Sequence, residues 1–583
     1  MKRFVRSLVF AAVMFPASLF AQTIVNVASD NPPQEGNLNT AVQAAIDAGS
    51  LSSTVFQLEA GGYYVLTSSI QVPAGKQLTI VAPEPTSTAA PPQIVWTTQG
   101  NPDRTYLINA FGDVTLKNIW LMFADASGNQ VQTVIGMQQD TATVDGHEHI
   151  TLDGVILDYC NCPTDAGGTV TVACKNLVAN FKNSYWKNCI DRHLRYYGRA
   201  VSYPYNSTGW HIDSVSFENC TFANMGYVLM QEGGEYADYV KFNHCTFSNI
   251  IMFPLESSWW HNLIVTNSVF QNTWMFGSIP SQDTAGGNGA IFAIDSVDNF
   301  GFSVPFTDQQ RHVLFAHCSY SLDPWLVDWM KNCPYSQTRH QNREDDLIPV
   351  PQPFMNARSW YFLDSLGADG KKLFPYMTAF SFDTTNNSLF INPPTDTAVL
   401  KIFMNKKWDD NTDTNWAWKP MNDINAVWPM EENLAYQNST LKTFAMGGFP
   451  LGDLYRWWST QYTSWSSQAT AENDSLSTWL ANGRILAVKG RPGPLPVKFE
   501  LAQNYPNPFN PTTQIDYSIM AKGYVTLKVF NVLGEEVATL FAGQQIPGNY
   551  TVTFNGGRLA SGVYFYRLQA GNLSITKKLV LMK

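Results

Sequence analysis

The chain has 583 residues, 18 of them tryptophan, with a net charge of −10 and a charged fraction of 14%, against about 25% for an average soluble protein. It exceeds the roughly 250 to 300 residues at which one core stops growing, so several domains are expected and a small disulfide scaffold is excluded. A hydrophobic fraction of 45% excludes a disordered chain, and the acidic balance speaks against binding nucleic acid, which needs clustered Lys and Arg.

Residues 1–21 carry Lys2, Arg3 and Arg6, then the apolar run from Leu8 to Phe15, then Ala21 before Gln22. This is the layout of a secretory signal peptide, with an apolar core too short to span a bilayer. No later stretch is apolar enough for a transmembrane helix. No Cys follows the expected cleavage site, so a lipoprotein anchor is not expected either. The segment from Leu38 to Ile46 reads as a short amphipathic helix ended by Gly49, followed by strand-like runs from Phe56 to Leu66 and from Gly75 to Val81.

A repeat then takes over. Six-residue segments starting at Leu116, Leu152, Phe181, Phe217, Phe242, Val265 and Phe315 superimpose without gaps, with starts 36, 29, 36, 25, 23 and 50 residues apart. A coil of 23 to 25 residues with variable insertions, and one double step of 50, accounts for these spacings. Each unit is a short strand, an Asn or His bend and a second short strand, and coils stacked about 4.8 Å apart bring identical side chains into columns. One column holds Asn118, Asn183, Asn219 and Asn267, with His244 and His317 at the same bend; Cys220, Cys245 and Cys318 form an interior column. Five residues after the first bend comes a second Asn column, Asn188, Asn224, Asn249 and Asn272. The N-terminal helix and the repeat together resemble right-handed parallel β-helix proteins of the pectin lyase-like superfamily, and the resemblance implies that the helix caps the open end of the core.

We assign residues 22–340 to this β-helix and 341–490 to an appended aromatic-rich region of uncertain fold, containing Trp408, Trp416, Trp418, Trp428, Trp457, Trp458 and Trp465. Helix is expected in part of the stretch from Asp453 to Leu480. The breaker-rich linker 491–496 precedes short alternating runs that predict a small β-sandwich over 497–583. The fold class is thus mainly β. The tail motifs Asn504-Tyr-Pro-Asn-Pro-Phe-Asn-Pro, Val529-Phe-Asn-Val-Leu-Gly534, Leu559-Ala-Ser-Gly-Val-Tyr-Phe-Tyr-Arg567 and the terminal Lys577-Lys-Leu-Val-Leu-Met-Lys583 are similar to the type A sorting domain of the type IX secretion system. The resemblance implies that residues 497–583 engage that secretion machinery, that the chain reaches the outer surface or surroundings of a Gram-negative bacterium, and that the passenger is released or joined to surface lipopolysaccharide. With three basic residues in 1–21 and eight Lys/Arg against four Asp/Glu in the last ninety residues, the passenger itself carries −17.

Eight cysteines in an exported chain allow disulfides, and Cys160, Cys162 and Cys174 in one inserted loop are the candidates for a local bridge. No zinc template, nucleophile elbow, P-loop or dinucleotide fingerprint occurs in a suitable context. Nor are the paired Asp motifs of pectin hydrolases or the calcium-binding Asp set of pectate lyases present. Candidate chemistry therefore rests on stacking. Counting twelve residues on from successive bends gives an outward column of Arg195, Gln231 and Glu256, with His193, Tyr196 and Glu232 beside it. A polysaccharide lyase needs a base next to a neutralised uronate carboxylate, roles open to Arg195, His193 and Tyr196. An inverting glycosidase needs two carboxyls about 6.5 to 9.5 Å apart, a role open to Glu232 and Glu256. Gln231, Trp259 and Trp260 are the candidate substrate contacts. No motif demands a cofactor, and calcium is the one cation left open for a lyase. The competing reading is a non-catalytic surface protein: an adhesin, an envelope coat or an assembly subunit. Fold alone does not decide between them.

Overall fold

Strands whose apolar side chains recur at every second position bury one face, and a chain that repeats such strands coil after coil can close that face around a common interior. The computed structural model describes residues 22–96 (except 32), 106–125, 133–139, 148–158, 168–189, 198–202, 212–230, 236–252, 254–255, 259–275, 290–332, 351–408, 427–483, 489–491, 499–519, 523–545 and 548–582 (except 558 and 572). The expected signal peptide lies outside them.

From Thr23 to Asp383 the strands form a parallel β-helix. An 18-stranded sheet contributes two of its faces, joined at the bends, and a six-stranded sheet made of Ile70–Val72, Tyr106–Ala110, Thr133–Gln138, Val170–Ala173, Arg199–Ser202 and Tyr227–Met230 forms the third; every pairing in both is parallel. The repeat register holds residue for residue: Leu116 pairs with Leu152, Leu152 with Phe181, Phe181 with Phe217, Phe217 with Phe242, Phe242 with Val265 and Val265 with Phe315. Inside, rings stack up the axis. Phe217 lies 4.8 Å from Phe242, and the column Trp186, Phe222, Phe247 and Phe270 has centroids 5.2, 5.1 and 4.3 Å apart. Cys220, Cys245 and Cys318 are buried in this interior, each thiol donating to backbone carbonyls, and burial raises all three above the usual thiol range. The helix Asn37–Asp47 buries Leu38, Val42 and Ala45 over the first coil.

The coils depart from the sequence pattern in two places. The direct pairing of Val265 with Phe315 makes the 50-residue step one coil with a long insertion, not two coils. Spacing alone cannot separate the cases, because an insertion as long as a coil gives the same interval. The parallel sheet also runs past residue 340, since Met377–Asp383 pairs with the strand His312–Ser321 after an excursion that includes the helices Pro324–Asn332 and Ala357–Asp364.

The described residues of 384–408 and 427–483 fold back along the bends as a cover of short helices and loops, with a single two-stranded pairing of Phe390–Asn392 and Asn433–Tyr436 among them. The stretch in which helix was expected contains Leu454–Trp457, Ser459–Ser466 and Ala469–Asn482. The tail is a sandwich of two four-stranded antiparallel sheets around Ile515, Val525, Leu527, Tyr566, Leu568 and Leu579. Lys489–Arg491, which runs into the first residue of the expected linker, already pairs with its strand Gly548–Asn555.

Candidate functional site

The bends carry the polar residues of the coil, and positive φ explains their identity. Asn118, Asn183, Asn219, His244, Asn267 and His317, and Asn188, Asn224, Asn249 and Asn272 of the second column, all lie at φ between 51 and 57°, where Asn is the best tolerated residue after Gly. The second column is a continuous ladder in which each amide donates to the carbonyl below: Asn224 to Asn188 at 3.2 Å, Asn249 to Asn224 at 3.0 Å and Asn272 to Asn249 at 3.0 Å. The first column does something else. Its carbonyl oxygens receive the cover, with Asn219 accepting from the backbone N–H of Leu454 and Asn267 from that of Met446.

Three acids of the cover are buried against the coil. Glu472 accepts from Asn243 at 2.9 Å, Asn267 at 3.3 Å and the Trp465 indole at 3.2 Å, and faces His244 at 3.2 Å. Asp453 accepts from the Thr221 hydroxyl at 2.7 Å and from the backbone N–H of Arg456, and burial pushes its carboxyl up to about 6. Glu432 meets Lys187 at 2.8 Å. Gly452 explains how the cover comes so close: at φ 88°, a Cβ there would lie 2.4 Å from Thr246 Oγ1 and 2.8 Å from Val269 Cγ1. Two tryptophans of the cover pack inward, Trp457 against Tyr185 with its N–H on Thr221 and Trp428 against Trp120 with its N–H on the Thr86 carbonyl, while Trp416 and Trp418 lie outside the described residues. The bend face is thus occupied by the chain's own residues.

Of the candidate site, His193, Arg195, Tyr196, Gln231, Glu232 and Glu256 lie outside the described residues. The strands that flank them still fix the order of their segments. Val201, Leu229 and Leu255 are opposite one another on successive coils, yet they stand 18, 10 and 11 residues after the bends at Asn183, Asn219 and His244. The distance from bend to six-stranded sheet thus differs from coil to coil. The coil holding Arg195 has eight more residues between its second bend and the six-stranded sheet than the next coil has, because 11 residues separate Asn188 from Arg199 but only 3 separate Asn224 from Tyr227, its partner. In sequence, His193, Arg195 and Tyr196 precede the strand Arg199–Ser202, whereas Gln231 and Glu232 follow Tyr227–Met230 and Glu256 follows Leu255.

Just after Glu232 and Glu256 in sequence, the described residues form an aromatic and ionisable rim. Ala237 pairs with Trp260, which sets Tyr236 and Asp238 beside Trp259 and His261. His261 stacks on Phe306 with centroids 4.4 Å apart, lies 3.7 Å from Asp238 and contacts the Gln310 carbonyl at 3.2 Å. Tyr236 meets Phe306 edge-on, and Trp259 meets Phe302 edge-on at 5.0 Å. Both phenylalanines come from the insertion between Thr273 and His312, which the repeat pattern gave no reason to place here. Trp259 is partly exposed; Trp260 is 1% exposed and is sandwiched with Arg311, whose guanidinium lies 4.2 Å from its ring and donates to its carbonyl. Trp260 thus offers no ring face to a ligand. Tyr236, Asp238 and His261 were not singled out from the sequence, since only the coil-to-coil register reveals them as neighbours.

Cys174 is buried beside Glu148, which together with burial raises its thiol; Cys160 and Cys162 lie outside the described residues, as does any bridge involving them. Among the described residues no group of three His, Cys, Asp or Glu could hold a metal ion, and no helix is long and apolar enough to cross a membrane. In comparisons with known proteins, residues 503–582 match the family of secretion system C-terminal sorting domains. No curated protein and no solved structure matches the chain. Joined to the parallel β-helix, residues 503–582 thus carry a C-terminal sorting domain, the mark of a chain exported by the type IX secretion system to the cell surface or the medium.

Proposed function

We propose that the exported β-helix binds a polysaccharide along the rim where Trp259, Tyr236 and His261 border the segments holding Gln231, Glu232 and Glu256. The observation that supports this reading is the register of Ala237 with Trp260, which gathers rings and an imidazole from successive coils on one edge, next in sequence to the segments holding Gln231, Glu232 and Glu256. Flat rings supply the apolar face that a pyranose stacks on, and acids and amides supply acceptors and donors for its hydroxyls. Glu232 and Glu256 are the pair to which hydrolysis would fall, and Arg195, His193 and Tyr196 are the set to which a lyase reaction would fall.

Affinity electrophoresis of the full chain through gels containing acidic and neutral polysaccharides tests the reading, with release of unsaturated products or new reducing ends followed in parallel. Retardation by at least one polysaccharide, lost in Trp259→Ala and kept in Arg195→Ala, is the expected result. Products lost in Glu256→Gln would extend binding to cleavage. Normal mobility in every gel would leave the non-catalytic structural reading, which the self-occupied bend face favours.

A further inference from the structure

Lys187, Asp158 and Glu432 take no part in the rim, and their surroundings are unusual for charged groups. Lys187 and Asp158 are register partners on neighbouring coils, in the strands Tyr185–Lys187 and Ile156–Asp158, and Glu432 reaches them from the cover. Lys187 Nζ lies 2.8 Å from Glu432 Oε1 and 3.6 Å from Asp158 Oδ2, and none of the three residues is more than 7% exposed. The ammonium is 5.5 Å from the ring centre of Trp120 and 5.8 Å from that of Tyr185, within an apolar cluster that includes Val95, Ile156 and Trp457. Two carboxyls here share one cation, and without water to solvate a second negative charge one of them is better off neutral. That one is Asp158, whose carboxyl burial pushes above the usual range in spite of Lys187. Glu432, despite its own burial, is held below that range by Lys187.

The geometry points to an amide cross-link between Lys187 Nζ and Asp158 Cγ, formed by condensation with Glu432 as the proton carrier. Against its burial, Asp158 and Glu432 hold the Lys187 ammonium above its usual range, so the amine is a minor species, formed when Glu432 takes the proton across their 2.8 Å contact. The freed amine attacks the carboxyl carbon of Asp158, and the C–N bond forms as the carbonyl electrons move to oxygen. The tetrahedral intermediate then expels its hydroxyl, which leaves as water with a proton from the nitrogen. The products are one amide, one water and a neutral Glu432. Charge is zero on both sides, nothing is oxidised or reduced, and no co-reactant is needed. A dry pocket favours the direction that loses water, and it protects the amide from hydrolysis. The link staples two coils where the cover crosses them.

The test is peptide mapping of the denatured full chain after tryptic digestion. Expected is a branched peptide that joins the segments around Asp158 and Lys187, one water lighter than their sum, with no cleavage after Lys187. In Asp158→Asn the leaving group becomes ammonia, so a branched peptide of the same mass is expected. Glu432→Gln cannot accept the proton and is expected to lower the yield of branched peptide by at least about a hundredfold, the usual scale of general acid–base assistance. Cleavage after Lys187 together with an unmodified Asp158 peptide from folded wild-type chain would overturn the proposal. So would full linkage in Glu432→Gln, and so would an Asp158→Asn chain that folds but stays unlinked.

Discussion

The ladder at the second bend allows a worked perturbation. Asn249 sits at φ 57°, is fully buried, donates to Asn224 Oδ1 at 3.0 Å and to Thr395 Oγ1 at 2.7 Å, and accepts from Asn272 at 3.0 Å. Asn249→Ala removes three hydrogen bonds at about 1 kcal/mol each and keeps a Cβ in the left-handed region at a further cost of about 1 kcal/mol, so a loss of about 4 kcal/mol is expected. Asn249→Gly loses the same bonds without the strain, and its greater freedom when unfolded cancels only part of that relief, so it should lie up to about 1 kcal/mol above the alanine variant. Urea unfolding of the purified full chain, followed by tryptophan emission, reads both numbers. Because the 2.7 Å contact crosses to the cover, Thr395→Ala should be non-additive with Asn249→Ala, by about 0.5 kcal/mol or more in a double-mutant cycle. A loss below about 1 kcal/mol for alanine, or a glycine variant less stable than the alanine one, would refute the idea that the ladder and its backbone geometry hold the coils together.

Three further outcomes are expected. Asp453 has its carboxyl raised by burial from an ordinary 3.8 to about 6, so the stability it provides when neutral is complete below about pH 4 and is lost as pH rises through about 6. Relative to Asp453→Asn, wild type should therefore lose about 2 kcal/mol between pH 4 and pH 7 in urea titrations, and a difference that stays flat or grows with pH would contradict the burial. Glu472→Ala strands two amides and an indole N–H in a dry interface and should cost about 3 to 5 kcal/mol, with earlier proteolytic cleavage within residues 453–482; a variant as resistant as wild type would show that the cover is held elsewhere. Removal of residues 503–582 should trap the passenger inside the cell envelope with its β-helix intact by circular dichroism, and undiminished export would show that the sorting domain is dispensable.

The seven repeat segments had their register written in the sequence, down to the pairing of Phe181 with Phe217 and of Phe247 with Phe270, because stacked parallel strands put the same residue type at the same height on every coil. Positive φ at the bends selects Asn or His, with Gly154 in one coil, so both columns were legible too. The sorting domain was legible because several ordered motifs identify it. What the tertiary structure decided lies in the stretches that break the period. An insertion and an extra coil have the same length in sequence, so only strand pairing separates the single coil between Val265 and Phe315 from two, and only it shows the eight extra residues between Asn188 and Arg199 relative to the next coil. The cover over the bends, and with it the burial of Glu432, Asp453 and Glu472, depends on contacts between residues more than two hundred positions apart. No local pattern encodes such contacts. A coil repeats because its neighbours constrain it, whereas the fit of a cover to a face is known only once both are folded.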